Sequence, residues 1–264
     1  MTICIAAIGQ NENNEVIVFA TDHMVTIGDL GQFEHSILKW REIAPKTIAM
    51  LAGNPIFFDD VTKLSNSSLP FSEITTEVHK NFKQKRKDII KNEIFDIYEI
   101  DDAYIREVLA NTIQNQHIAK ILDQVSQYSL HTQILLIGFE NNEAQISVVD
   151  ESNVANFRVI HFNAIGSGMI QAVNTMMFQK HGKDDDVLTT LYDVYKAKRN
   201  AEVAQGVGKD TELLILSNKS GCMRINDAQL NILSQIYEQE LKMGRTHQDL
   251  KKLNDHGQVM LECS

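Results

Sequence analysis

The stretch TICIAAIGQNENNEVIVFATD, residues 2–22, contains two apolar runs separated by a short polar segment. The runs cover residues 3–8 and 15–20, and the segment between them is rich in Asn, Gln and Glu. Two strand-like runs joined by turn-forming residues are typical of a β-hairpin. The sequence therefore predicts a buried hairpin at the start of the chain, around which the rest of the fold is organised.

Thr2 stands immediately before the first predicted strand. A small residue at this position permits removal of Met1, so we expect the mature chain to begin with a threonine that carries both a hydroxyl and a free α-amine. An α-amine titrates at about pH 7.7–8.0, which makes it a usable general base near neutral pH. Activation of a threonine by its own amine is an established form of nucleophilic catalysis. The alternative is that Thr2 is simply the start of a buried strand.

Four further blocks follow Thr2 in order: FATDHMVT at residues 19–26, KW at 39–40, IAMLAGN at 48–54 and NAIGSG at 163–168. Together with Thr2 they resemble a proteasome β-subunit in their order and spacing. The resemblance implies the N-terminal nucleophile (Ntn) hydrolase fold, an α/β (α+β) four-layer α/β/β/α sandwich. The hairpin and the alternation of strands and helices agree with this order of elements but do not by themselves define four layers.

The resemblance also implies catalytic roles for four residues. Thr2 is the expected nucleophile, Lys39 the cation beneath its hydroxyl, Asp22 the partner that orients this lysine, and Ser167 a proton-shuttling group beside the amine. A nearby cation favours the deprotonated nucleophile by electrostatics. Two structural alternatives compete: Asp22 and Lys39 form a surface ion pair at a strand end, or Ser167 belongs to a helix-capping turn.

Thr26, Met50 and Ala52 are the expected substrate-binding residues. The family holds the substrate backbone near Thr26 by a form of strand addition. Met50 falls where the family has a glycine whose N–H contributes to the oxyanion hole, so its side chain is expected to narrow the cleft or to point away. The alternative for Met50 is core packing. A second departure concerns support for the α-amine, for which only Asn200 and Glu202 offer comparable polarity.

The resemblance implies a threonine peptidase that hydrolyses peptide bonds. One alternative is an amidase of the same fold that acts on a small amide, which a narrowed cleft favours. The other is a catalytically silent structural or binding subunit. Members of the family assemble into rings and are often fed by an ATP-dependent unfoldase, so the resemblance implies a homo-oligomeric ring for this chain. No cofactor or metal is expected.

Composition limits the other function classes. The formal net charge of −10, without a compensating basic stretch, argues against nucleic-acid or anionic-membrane binding. No run approaches the roughly 20 apolar residues of a membrane span, and no signal peptide is recognisable. The three scattered cysteines, Cys4, Cys222 and Cys263, favour a reducing compartment, so a cytoplasmic location is expected.

The length of 264 residues is ordinary for one α/β domain. We expect a single domain over residues 1–245, with an elaborated helical layer at about 55–128 and a polar tail at 246–264. The predicted helices cover residues 55–63, 72–91 (with Ser72 near its cap), 102–128, 169–180, 186–204 and 226–242. The later predicted strands cover residues 133–139, 144–149, 157–162 and 212–216.

Overall fold

Residues 2–27, 31–35, 38–110 and 116–243 are described by the computed structural model of the chain. Their strands are β1 (Ile3–Asn11), β2 (Asn14–Asp22), β3 (Met24–Ile27), β4 (Gly31–Glu34), β5 (Trp40–Ala44), β6 (Thr47–Ala52), β7 (Gln133–Glu140), β8 (Glu143–Val149), β9 (Val154–Asn156), β10 (Phe162–Gly166), β11 (Thr211–Ser217) and β12 (Gly221–Arg224). The helices are α1 (Phe58–Val61), α2 (Phe71–Ile90), α3 (Asp102–Ala110), α4 (Gln116–Gln127), α5 (Met169–Phe178), α6 (Val187–Ala201) and α7 (Asp227–Met243). Short 3₁₀ turns at Pro55–Phe57 and Asp96–Tyr98 and a π turn at Lys91–Phe95 complete the assignment. The chain therefore belongs to the α+β class.

The predicted hairpin is present as β1 and β2, which pair in antiparallel register from Cys4–Thr21 to Asn11–Asn14. It lies inside a five-stranded sheet of order β10-β1-β2-β11-β12. Successive side chains of a strand point to opposite faces. Ile3 and Ile5 accordingly pack against helices α5 and α6, whereas Cys4 and Ala6 enter a core shared with the second sheet. Because both faces are covered, the run is continuously apolar rather than alternating.

The second sheet has the order β5-β6-β7-β8-β9 and is also antiparallel. Its inner face contributes Ile48, Met50 and Leu135 to the core between the sheets. Its outer face packs against α2 through Ala49 and Leu136. The hairpin is thus buried between helices on one side and a second sheet on the other.

The strand predicted at residues 157–162 is wrong. The chain instead forms β9, then a turn in which the Phe157 carbonyl accepts hydrogen bonds from the N–H groups of Ile160 and His161, and then β10. The turn is needed because β9 belongs to the second sheet and β10 to the first. A single strand through these residues could not pair with both sheets.

Between residues 55 and 127 the described chain is largely helical. Within the helix expected over residues 102–128 the structure describes α3 and α4, and residues 111–115 between them lie outside the described part. Pro70, not Ser72, is the N-cap of α2, and the Ser72 hydroxyl donates to Glu140 instead.

The tail expected at 246–264 also lies outside the described residues. Within the described ranges, no helix combines the length and the apolar character that crossing a membrane requires.

Candidate active site

Asp22 ends β2 with a fully buried carboxylate that five donors surround. Its Oδ1 accepts from the backbone N–H of Ile3 at 3.1 Å, from Lys39 Nζ at 2.6 Å and from the Thr2 hydroxyl. Its Oδ2 accepts from the N–H of Gly208 at 2.8 Å and of Met24 at 3.3 Å. A buried charge is tolerated only when it is paired and hydrogen-bonded, and this carboxylate is both.

Lys39 approaches from the second sheet, just before β5. Its carbonyl accepts a hydrogen bond of 2.8 Å from the N–H of Leu51 in β6. The next residue, Trp40, donates from its indole Nε1 to Glu212 at 2.9 Å and packs edge-to-face on Phe19 with 5.7 Å between ring centroids. These contacts tie the backbone at Lys39 to both sheets, so its side chain is directed into the space between their ends.

Thr2, Asp22 and Lys39 therefore meet at one point. Lys39 Nζ donates to Thr2 Oγ1, and the same hydroxyl donates to Asp22 Oδ1. Lys39 and Thr2 are 9% and 3% exposed, respectively. The ion pair expected on the surface under the structural alternative is thus buried. In this arrangement the ammonium faces the threonine oxygen and can stabilise negative charge that develops on it.

A cavity of about 500 Å³ opens beside Thr2. Ala52 and Gly53 line one side of it, at the end of β6, and Gly166 and Ser167 line another. The remaining lining residues are polar or charged: Ser129, His131, Thr132, Gln133, Asp150, Glu151 and Ser152. Volumes of about 300–1,000 Å³ are usual for sites that bind small molecules or cofactors.

Gly166 lets the end of β10 approach the start of β1. Its φ is +101°, and a Cβ added there would lie 2.2 Å from the carbonyl oxygen of Thr2. Ser167 follows, and its hydroxyl lies 3.0 Å from the carbonyl oxygen of Gln205 and 3.4 Å from that of Thr2. Gly168, without a side-chain hydrogen bond, is the N-cap of α5. Ser167 is therefore beside Thr2, and the helix-capping alternative does not apply to it.

Replacing Gly166 with alanine is expected to displace Thr2. The substitution combines an unfavourable backbone angle, which costs about 1–3 kcal/mol, with a contact that neighbouring backbone cannot relieve. Gly221→Ala is the matched control because Gly221 also has a positive φ, +76°, but open space around it. Chemical denaturation should show a clearly larger loss of stability for Gly166→Ala. Equal losses in both variants would show that the approach to Thr2 adds nothing to the backbone strain.

The structure places several of the other residues that the sequence predicts for the site away from Thr2. Met50 is fully buried in the core between the sheets, so it is a core residue and does not narrow the cavity. Thr26 lies in β3, paired with Gln32 of β4, and its side chain is outside the described part. Asn200 bonds to Thr175 and Tyr237, and Glu202 to Lys198, so neither side chain is bound to Thr2.

The loop after α6 supports the site mainly through its backbone. Gly208 donates to Asp22, and the Gln205 carbonyl lies beside Ser167. Lys198 holds this loop, since its buried ammonium donates to Glu202 and to the Lys209 carbonyl, each at 2.7 Å. Burial lowers the pKa of Lys198, against the opposing effect of its hydrogen bond to Glu202. Lys198 is not among the residues predicted from the sequence. It occupies the apolar stripe of α6 with Leu191, Val194 and Ala201, and a lysine within such a stripe is a signal of burial.

Cys4 is the other potential nucleophile close to Thr2 in sequence. Its thiol is fully buried, and its Sγ lies 3.4 Å from the Leu51 carbonyl oxygen. Burial raises the pKa of Cys4 far above its ordinary value, which keeps the thiol protonated and unreactive. The threonine hydroxyl is therefore the better-placed nucleophile.

Neither a known protein-family model nor a curated protein matches this sequence.

Proposed function

We propose that this protein is a threonine-type N-terminal nucleophile hydrolase, of the proteasome β-subunit kind, that cleaves peptide or other amide bonds. The observation that carries the proposal is the hydroxyl of Thr2, which is bonded to Lys39 and Asp22 and borders a cavity. A cation against the hydroxyl and a carboxylate that orients the cation can activate such a nucleophile for acyl transfer.

The proposed reaction begins with removal of Met1, which gives Thr2 a free α-amine. The threonine Oγ attacks the substrate carbonyl carbon while its proton passes to this amine, directly or through water. The Lys39 ammonium stabilises the developing alkoxide, and the backbone at Gly53 is the candidate donor to the oxyanion. The proton then moves to the leaving amine, the C–N bond breaks, and water hydrolyses the resulting ester to regenerate Thr2.

The four-layer α/β/β/α architecture is part of the same proposal. It is supported by three successive hydrophobic cores. The first lies between the first sheet and helices α5 and α6, the second lies between the two sheets, and the third lies between the second sheet and α2. The ring assembly and the unfoldase partner rest on the sequence resemblance alone, whereas the cytoplasmic location rests on the three scattered cysteines.

Peptides are favoured over small amides as substrates because Met50, the residue expected to narrow the cleft, is buried in the core. The catalytically silent alternative is disfavoured by the buried contacts among Thr2, Asp22 and Lys39, because a structural subunit has no need of a cation bonded to a threonine hydroxyl.

The test is the intact mass of the purified protein before and after treatment with two electrophiles, a peptide epoxyketone and a small β-lactone. We expect a mass without Met1 that increases by one equivalent of the epoxyketone. Labelling by the β-lactone alone would replace the peptidase with the small-amide hydrolase. Retention of Met1, or labelling by neither reagent, would overturn the proposal in favour of the silent subunit.

The charge of the cavity predicts a substrate preference. Asp150 and Glu151 line it, and no Lys or Arg is among the described lining residues. One carboxylate oxygen of Glu151 accepts from Ser129 Oγ at 2.6 Å and from the N–H of Leu130 at 3.1 Å, so the carboxylate is held in place. Peptides with Lys or Arg beside the scissile bond should be cleaved faster than those with Asp or Glu, and Glu151→Gln should reduce the ratio of kcat/KM values by about tenfold.

Glu238→Gln is the control for this prediction, since it removes the same charge from an exposed position on α7 outside the cavity lining. It should leave the ratio unchanged. A wild-type enzyme without preference, or a Glu151→Gln variant that keeps the wild-type ratio, would contradict the assignment of the cavity as the site for a cationic side chain.

A further inference from the structure

A second polar cluster is buried where the loop between α5 and α6 meets β1. It consists of His181, Asp185 and Asp193, none of which lines the cavity beside Thr2. The side chains of His181 and Asp193 are 0% and 2% exposed, whereas that of Asp185 is 35% exposed and reaches solvent. A buried imidazole beside two carboxylates is not explained by the proposed hydrolysis.

The hydrogen bonding of His181 fixes which nitrogen faces the carboxylates. Its Nε2 lies 2.9 Å from the carbonyl oxygen of Ile8 in β1. A carbonyl oxygen only accepts hydrogen bonds, so Nε2 carries a proton. Nδ1 is then the nitrogen that can offer a lone pair, and it points at Asp185 Oδ2 and Asp193 Oδ2.

The two distances from His181 Nδ1 match the separation between two ligands of one metal ion. Both carboxylate oxygens lie 3.3 Å from Nδ1, whereas an N–H donor bound to a carboxylate is typically about 2.7–2.9 Å from it. Two ligands on a tetrahedral zinc ion, each with a bond of about 2.0–2.1 Å, are separated by roughly 3.3–3.4 Å. The three candidate ligand atoms all lie within 4.8 Å of one another.

We propose that His181 Nδ1, Asp185 Oδ2 and Asp193 Oδ2 form a binding site for a divalent transition metal, with zinc as the best match to one imidazole and two carboxylates. The Asp185 side chain is partly exposed, so water can reach this carboxylate, whose Oδ2 also accepts a hydrogen bond of 2.9 Å from the N–H of Gly182. The Ile8 carbonyl acts as the outer partner that sets the tautomer and orientation of the ring.

The position of the site gives the metal a structural role. The Asp185 carbonyl already accepts a hydrogen bond of 2.8 Å from the N–H of Gln10, and His181 is bonded to Ile8. A metal held by Asp185 and by Asp193 of α6 would fasten this loop, the helix and the far end of β1 together. It would therefore stabilise the strand that carries Thr2 without taking part in the chemistry there.

The site is tested by calorimetric titration of the untagged, metal-free full chain with zinc chloride at neutral pH, together with thermal denaturation. We expect one equivalent to bind with a dissociation constant in the micromolar range or below, and the Tm to rise. Asp185→Asn and His181→Gln should each raise that constant at least tenfold and abolish the rise in Tm. Asp184→Asn, which alters an adjacent exposed carboxylate, should behave as the wild type.

The competing possibility is an imidazolium that bonds to both carboxylates without metal. Nitrogen-detected or ¹H–¹⁵N NMR of the histidine rings distinguishes the two, because zinc ligation shifts the Nδ1 resonance of His181 and an imidazolium keeps a proton on both nitrogens. Absence of stoichiometric binding, equal affinity in Asp185→Asn, or a doubly protonated His181 in the presence of zinc would each overturn the proposal. None of these readouts depends on the reactivity of Thr2.

Discussion

Thr2→Ala is expected to eliminate amide hydrolysis, with kcat/KM reduced by about 10³-fold or more, because it removes the proposed nucleophile and leaves every other group of the site in place. The variant should still fold, since the side chain lost is small and its main partner, Asp22, retains four of its five hydrogen bonds. Turnover of a fluorogenic peptide and covalent labelling by the epoxyketone measure the effect.

Thr2→Ser is the matched control, because it keeps the hydroxyl, the site of Met1 removal and the contacts with Asp22 and Lys39. It loses only the methyl group that restricts χ1. We expect labelling of the serine variant and reduced but measurable turnover. If Thr2→Ala hydrolysed the substrate or bound the probe as the wild type does, the nucleophile would have to be another residue.

The hairpin and the meeting of Asp22 with Lys39 illustrate what a single sequence can predict. The apolar runs around residues 10–14 specify two strands by composition and period alone, and β1 and β2 are found there. Asp22 and Lys39 lie 2.6 Å apart although 17 positions separate them, a contact that the resemblance anticipated and that spacing alone does not encode.

Residue types alone do not predict the backbone contacts at the site, because every residue except proline carries the same N–H group. Gly208 donates to Asp22, and Gly53 lines the cavity, yet both appear in the sequence only as turn residues. In the same region, polarity indicates Asn200 and Glu202 as candidate supports for the α-amine. Their side chains are engaged with α5, α6 and α7, and polarity alone does not reveal such tertiary pairing.

Met50 shows that the position of a residue along its strand, as well as the face it occupies, decides whether it lines the cavity. Met50 and Ala52 are two residues apart in β6 and therefore share a face. Both enter the core between the sheets, but only Ala52 lies at the strand end where the cavity begins. The two-residue period of a strand predicts that the two residues share a face. Which of them lines the cavity depends on where the sheet ends, and tertiary packing sets that point.

Asp22→Asn is expected to lower the free energy of unfolding by about 3–5 kcal/mol, because it leaves the buried Lys39 ammonium without its counter-charge. The asparagine side chain would also place an NH₂ group where one of the two carboxylate oxygens now accepts hydrogen bonds. The donors to that oxygen would then face another donor, so at least one buried hydrogen bond is lost. Asp59→Asn is the control: Asp59 pairs with Arg41 with side chains 85% and 38% exposed, and such pairs contribute at most about 1 kcal/mol.

A double-mutant cycle separates the ion pair from the other contacts of Asp22. Lys39→Met removes the cation with little change in side-chain length, so the double variant Asp22→Asn/Lys39→Met no longer contains a buried unpaired charge. Chemical denaturation should therefore show a loss of stability for the double variant that is smaller than the sum of the two single losses, with a coupling energy of about 1–3 kcal/mol.

Strict additivity, or an Asp22→Asn variant as stable as Asp59→Asn, would mean that Lys39 is solvated rather than held against Asp22. The cation would then not be fixed beneath the Thr2 hydroxyl, and the proposed activation of Thr2 would lose its physical basis. Coupled losses of stability, accompanied by loss of labelling in both single variants, would instead tie the fold and the proposed chemistry to the same buried pair.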